Sequence, residues 1–94
     1  MEVVKGQVVI SRRGRDVRRL YVAVGHEGER LLLCDGDKRT LAQPKVKNRL
    51  HINPTGTILP GETLETDLKI KTALKPLKKQ MAADQQGGKQ LVER

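Results

Sequence analysis

The chain has 94 residues and a mass of 10.5 kDa, with 19 Lys and Arg against 11 Asp and Glu, a net charge of +8 and a pI near 10.1. That length fits one small domain with an appendage, and Val, Ile and Leu, 25 residues with neither Phe nor Trp beside them, supply a lean core. A domain this short buries only about 60% of its unfolded surface, which argues against a deep catalytic cavity.

The predicted elements follow in chain order. Gln7 to Ser11 and Leu20 to Val24 are β-branched or alternating runs and read as strands, the second stopped by Gly25. His26 to Glu29 reads as a turn into a third strand, Arg30 to Cys34. Asp35-Gly36 is a type I′ hairpin dipeptide, so Lys38 to Ala42 is expected to return antiparallel until Pro44 ends it. Asn48 to Ile52 supplies a fifth short run, closed by the turn signal Asn53-Pro54-Thr55-Gly56. Five short strands with tight turns suit a small, partly open barrel over residues 1–56.

The continuous apolar run Leu31 to Leu33 implies a strand covered on both faces, and something must cover the second. Ile70, Leu74, Leu77 and Met81 recur at spacings of four, three and four, one stripe of a helix. This predicts a helical extension over 57–83, packed on or beside the barrel. Thr63 or Thr66 is placed to cap it, acids stand at its start and lysines toward its end, and Pro76 is expected to kink or break it. Residues 84–94, with Gly87-Gly88, read as a flexible tail.

Charge is unevenly spread: residues 1–54 carry +6 of the net +8. Arg12-Arg13-Gly14-Arg15-Asp16-Val17-Arg18-Arg19 packs five arginines into eight residues, and the stretch 38–49 adds Lys38, Arg39, Lys45, Lys47 and Arg49 with no acid. A charge run usually marks a solvated face. Here arginine outnumbers lysine, and its planar fork suits bidentate phosphate contacts, so recognition is the better reading. Gly14 either only makes a turn or also lets the backbone approach a phosphate. Asp16 is expected to brace the loop, toward Arg13 or Arg19 or as an Asx-turn. Tyr21 reads as a core or rim residue, and as the sole aromatic it argues against recognition through several stacked bases and favours folded RNA read by shape.

These residues also resemble a known pattern. Gly6 to Asp16, the strand Leu20 to Gly25, Leu32-Leu33-Cys34-Asp35-Gly36 and the basic Lys45 to His51 segment resemble a KOW motif, as carried by small bacterial KOW-domain RNA-binding proteins related to large-subunit ribosomal proteins of archaea and eukaryotes. The resemblance covers about residues 5–54. It implies an SH3-like barrel whose first loop contacts structured RNA, with Gly14 as the motif's glycine and Arg12, Arg13, Arg15 and Asp16 as the loop around it. The family commonly carries a second small residue where Val17-Arg18-Arg19 stands here.

No catalytic or metal constellation is visible. His26, Cys34, Asp35 and His51 fall on different elements without ligand spacing, and no cofactor is expected. Lys71, Lys75 and Lys78 form a candidate second RNA-facing surface, for which a solvated helix face is the stronger reading. No apolar run approaches the ~20 residues of a membrane span. The start lacks a secretory pattern and a lone cysteine permits no intrachain disulfide, so a cytoplasmic monomer is expected. The expected activity is non-enzymatic docking on structured RNA, ribosomal RNA foremost, through Arg12, Arg13, Gly14, Arg15, Arg18, Arg19, Lys38, Arg39, Lys45, Lys47 and Arg49. The alternative is an SH3-like module that docks on a ribosomal or transcription protein.

Overall fold

The computed structural model describes the backbone of residues 3–92 and the side chains of residues 3–81. Five strands, β1 (Gln7–Ser11), β2 (Leu20–Glu27), β3 (Arg30–Cys34), β4 (Lys45–Asn48) and β5 (Ile52–Ile58), form one open antiparallel sheet in the order β4-β3-β2-β1-β5. Two short 3-10 turns, Arg49–His51 and Gly61–Glu65, precede β5 and the helix α1 (Asp67–Val92). The protein is therefore mainly β with a C-terminal helix, consistent with a small barrel-like fold.

Strand alternation sends successive side chains to opposite faces, and both faces are buried. On one, Val9, Tyr21, Ala23, Leu31 and Leu33 pack with Ile52 and Val3. On the other, Val8, Leu20, Val22 and Cys34 meet Leu64, Ile70 and Leu74, with Leu77 and Met81 partly buried at the margin. The helix stripe read from spacing is thus the cover that the sheet requires. Ile70 and Leu74 are fully buried, and truncating either to Ala costs about 2–5 kcal/mol. Thr66 is the cap: its hydroxyl accepts from the Lys69 N–H at 3.1 Å.

Several expectations are corrected. β2 does not stop at Gly25; the register shifts there between Ala23 and Gly25, and the strand runs on to Glu27. The turn is the two-residue Gly28-Glu29, with Gly28 at φ +65°, as in a type II′ hairpin.

Asp35-Gly36 does not make a type I′ hairpin, because only Gly36 has positive φ, and 38–42 is not a strand. The Asp35 carboxylate instead accepts from the Asp37 and Arg39 N–H groups, both at 2.9 Å, while the Leu41 N–H reaches Asp67 at 2.8 Å. The two local bonds to Asp35 and the long-range one to Asp67 stand in place of a strand ladder, and pairing resumes only after Pro44, at Lys45.

Asn48 to Ile52 is likewise no strand: Asn48 caps a 3-10 turn by accepting from the Leu50 N–H at 2.9 Å. Asn53-Pro54-Thr55-Gly56 lies inside β5 as an irregularity rather than a turn. β5 is an edge, where Pro54 needs no donor, and the Thr55 hydroxyl supplies Val8 with a bond at 2.7 Å.

The helix runs through Pro76 without a break; Pro76 and Thr72 one turn back are both exposed, so the carbonyl that loses its N–H donor is on the solvent side of the helix. Glu62 and Glu65 belong to the preceding 3-10 turn. The backbone is helical to Val92, and the tail expected over 84–94 falls on residues whose side chains lie outside the described ones.

Candidate functional site

The β1–β2 loop is built by short-range chemistry. Ser11 and Arg19 pair across its base, the Arg18 N–H donates to the Ser11 carbonyl at 2.7 Å, and the Val17 N–H turns back to Gly14. Gly14 sits at φ +89°, where a side chain is unfavourable; a Cβ would otherwise find only ordinary contacts. The start of the loop is tied to the turn before the neighbouring strand β5 by the Arg12 N–H donating to the His51 carbonyl at 2.9 Å.

Asp16 is the organising residue. It is 8% exposed, and its carboxylate receives the Lys47 ammonium at 2.8 Å, the Ser11 hydroxyl at 2.9 Å and the Tyr21 hydroxyl at 3.0 Å, with the Lys45 ammonium at 3.5 Å. Lys47 also donates to the Arg13 carbonyl at 2.9 Å. Burial by itself raises the Asp16 pKa, but the hydrogen bonds from Lys47, Ser11 and Tyr21 and the Lys45 charge reverse that and hold it well below the ordinary carboxylate range. The Tyr21 phenol is pushed up to about 12, by burial first and then by its bond to the Asp16 anion. Asp16 thus braces the loop as expected, but against Ser11, Tyr21, Lys45 and Lys47 rather than Arg13 or Arg19. Tyr21 is a core residue whose hydroxyl is committed.

Above this hub lies an open cavity of about 600 Å³ lined by Gly14, Arg15, Asp16, Arg19, Tyr21, Lys38, Arg39, Lys45 and Lys47. The two basic segments, separated in sequence by the whole β2–β3 hairpin, meet here. Six cations face one carboxylate, and that carboxylate is already shared by Lys45 and Lys47. Arg15, Arg19, Lys38 and Arg39 have no acidic partner within 4.0 Å among the described residues.

The remaining expected residues lie elsewhere. Arg12 and Arg49 line a separate cleft with Leu50 and Asn53. Arg18 turns to a third cleft, with Arg19 and Lys78. Arg13 is exposed and contributes its carbonyl to the hub. What sequence reasoning missed is the role of Ser11 and Tyr21 as ligands of Asp16; the only sequence signal was a buried-type strand flanking an acid in an arginine run.

Cys34 is buried, its thiol donating to the Thr40 carbonyl at 3.2 Å. Burial, then the Asp67 and Asp35 charges, push it up to about 11. His26 is exposed at the end of β2, and among the described residues no three His, Cys, Asp or Glu side chains are placed to share a metal. No described helix is long and apolar enough to cross a membrane. In comparisons with known proteins, no family model matches the chain and no curated protein matches it.

Proposed function

We propose that the protein is a non-enzymatic RNA-binding protein that docks on structured RNA, ribosomal RNA foremost, in the manner that its resemblance to KOW proteins implies. The observation that carries this reading is the convergence of the two basic segments on one open cavity braced by a buried acid. An open concavity lined mostly by Lys and Arg side chains suits phosphates, and guanidinium and ammonium groups position a nucleic-acid backbone without reading base identity. With a single tyrosine, buried and hydrogen-bonded, stacking contributes little, and recognition rests on phosphate geometry and RNA shape.

Lys45 and Lys47 are partly neutralised by Asp16, so Arg15, Arg19, Lys38 and Arg39 are the primary phosphate contacts. Four contacts give a salt slope of about −3.5, or an affinity loss on the order of 10²-fold between about 50 and 200 mM salt.

The test is sedimentation of tagged protein from lysate through a sucrose gradient, with and without RNase, beside an Arg15→Ala/Arg39→Ala variant. Wild type moving with a ribosomal subunit, in an RNase-sensitive manner that the variant loses, supports the proposal. Wild type remaining at the top removes the ribosomal part. A complex that survives both RNase and the variant assigns the surface to a protein partner instead.

A further inference from the structure

The loop cavity does not end the basic surface. Arg19 lines it and also lines a second cleft of about 260 Å³, formed with Arg18, Leu20, Asp35, Lys78 and Met81. Lys78 comes from α1, so this cleft joins the β1–β2 loop to the helix. Its single acid, Asp35, already accepts the Asp37 and Arg39 N–H groups through Oδ1, and neither Arg18 nor Lys78 has an acidic partner within 4.0 Å among the described residues.

The backbone supplies a second, independent observation. Among the described residues Arg18 is the only non-glycine with positive φ, at 72°. An L-residue is disfavoured there because its Cβ crowds the following carbonyl. Every other such position described, from Gly6 to Gly36, is occupied by glycine. A conformation disfavoured for an L-residue, adopted where glycine would relieve it, points to a use for the side chain, and this side chain is a guanidinium lining a cleft.

We propose that the RNA backbone leaves the loop cavity across Arg19 and enters this second cleft, where Arg18 and Lys78 hold a further phosphate, making α1 part of the RNA surface. The inference rests on the RNA-binding reading above and adds the helix and the path to it. Charge complementarity selects the occupant: the two clefts share a cationic wall at Arg19 and suit a continuous polyanion rather than a single small anion.

The experiment measures binding of the full chain to a fluorescein-labelled RNA hairpin by anisotropy across a salt series, with urea unfolding of every variant alongside. Arg18→Gly is expected to move the two readouts in opposite directions: the unfolding midpoint holds or rises as strain is released, while binding weakens roughly three- to tenfold and the salt slope shrinks by about one. Lys78→Gln is expected to weaken binding similarly and Lys78→Arg to retain it. Lys69→Gln, on an exposed part of α1 where Lys69 pairs with Glu65, is expected to bind as wild type. Arg18→Gly and Lys78→Gln both binding like Lys69→Gln, while Arg15→Gln loses affinity, overturns the path and leaves the loop cavity as the whole site. Wild type failing to bind the hairpin at all overturns the RNA-binding reading together with this inference.

Discussion

Replacing Asp16 by Asn tests whether the loop is held by charge or only by shape. Asn is nearly isosteric, so the change removes the anion and leaves the volume. The side chains of Asp16 and Lys47 are 11% and 10% exposed, so water compensates little. Hydrogen bonds to a charged group contribute about 1.5–3 kcal/mol against about 1 for neutral pairs. Three bonds, from Lys47, Ser11 and Tyr21, therefore lose about 1.5–6 kcal/mol in sum, and the largely buried Lys47 side chain is left without its counter-charge. The expected loss is about 3 kcal/mol, or a fall in Tm of about 12–24 °C for a domain of this size, read by urea and thermal unfolding followed by circular dichroism.

A double-mutant cycle with Lys47→Met isolates the pair and is expected to show a coupling of at least ~1 kcal/mol. The pH dependence has a definite sign. The unfolded carboxyl titrates near the usual 3.9 and the folded one well below, so the unfolded state binds more protons in that window. The contribution is then full above about pH 5 and lost as the pH falls toward the depressed folded value, and Asp16→Asn is expected to flatten that limb. A stability loss below 1 kcal/mol with an unchanged acid limb would refute the electrostatic account of the hub.

Three other outcomes are expected. Tyr21 is the only aromatic, so absorbance at 295 nm reports it alone; its titration is expected near pH 12 rather than 10 while the fold persists, with stability lost as pH rises through that interval, and a midpoint near 10 in folded protein contradicts its bond to Asp16. Gly36→Ala is expected to cost about 2–4 kcal/mol in urea unfolding, because φ is +78° and the new Cβ collides with the Asp67 carbonyl and stands 2.7 Å from the Lys71 nitrogen; Gly28→Ala, open to solvent at φ +65°, is expected to cost only about 1–2 kcal/mol, and equal losses would contradict the packing of the 35–44 loop on α1. The Cys34 thiol, buried and pushed up to about 11, is expected to resist alkylation at pH 8 in native protein and to react on unfolding; native labelling at the unfolded rate would show that β3 is not covered.

Much of the architecture was legible because it follows from periodicity. The 70-74-77-81 stripe does cover a sheet face, but that of Val8, Leu20, Val22 and Cys34; Leu31 and Leu33 lie on the opposite face and Leu32, whose place in an apolar run suggested cover on both, is only partly buried. The errors gather where a local motif was read without its neighbours. Asp35-Gly36 and Asn53-Pro54-Thr55-Gly56 carry turn chemistry, yet one became an Asx-stabilised loop docked on Asp67 and the other a bulged edge strand, because partners 26 and 47 residues away supplied the bonds. Pro76 does not break the helix, as one of the two expected outcomes had it, because its cost depends on which side of the helix faces water.

The candidate site divides in the same way. Composition and sequence alone determined that this is a basic, aromatic-poor domain whose charge is concentrated in two segments of an arginine-led first half, since charge and residue type are properties of the chain. Only the tertiary structure decided which charges act together. The β2–β3 hairpin brings residues 15–19 and 38–47 to one cavity, Asp16 takes up Lys45 and Lys47, and Arg12 and Arg49 face another cleft. The physical reason is distance: electrostatic and hydrogen-bond energies depend on separations of a few ångströms, and folding, not sequence order, sets those separations.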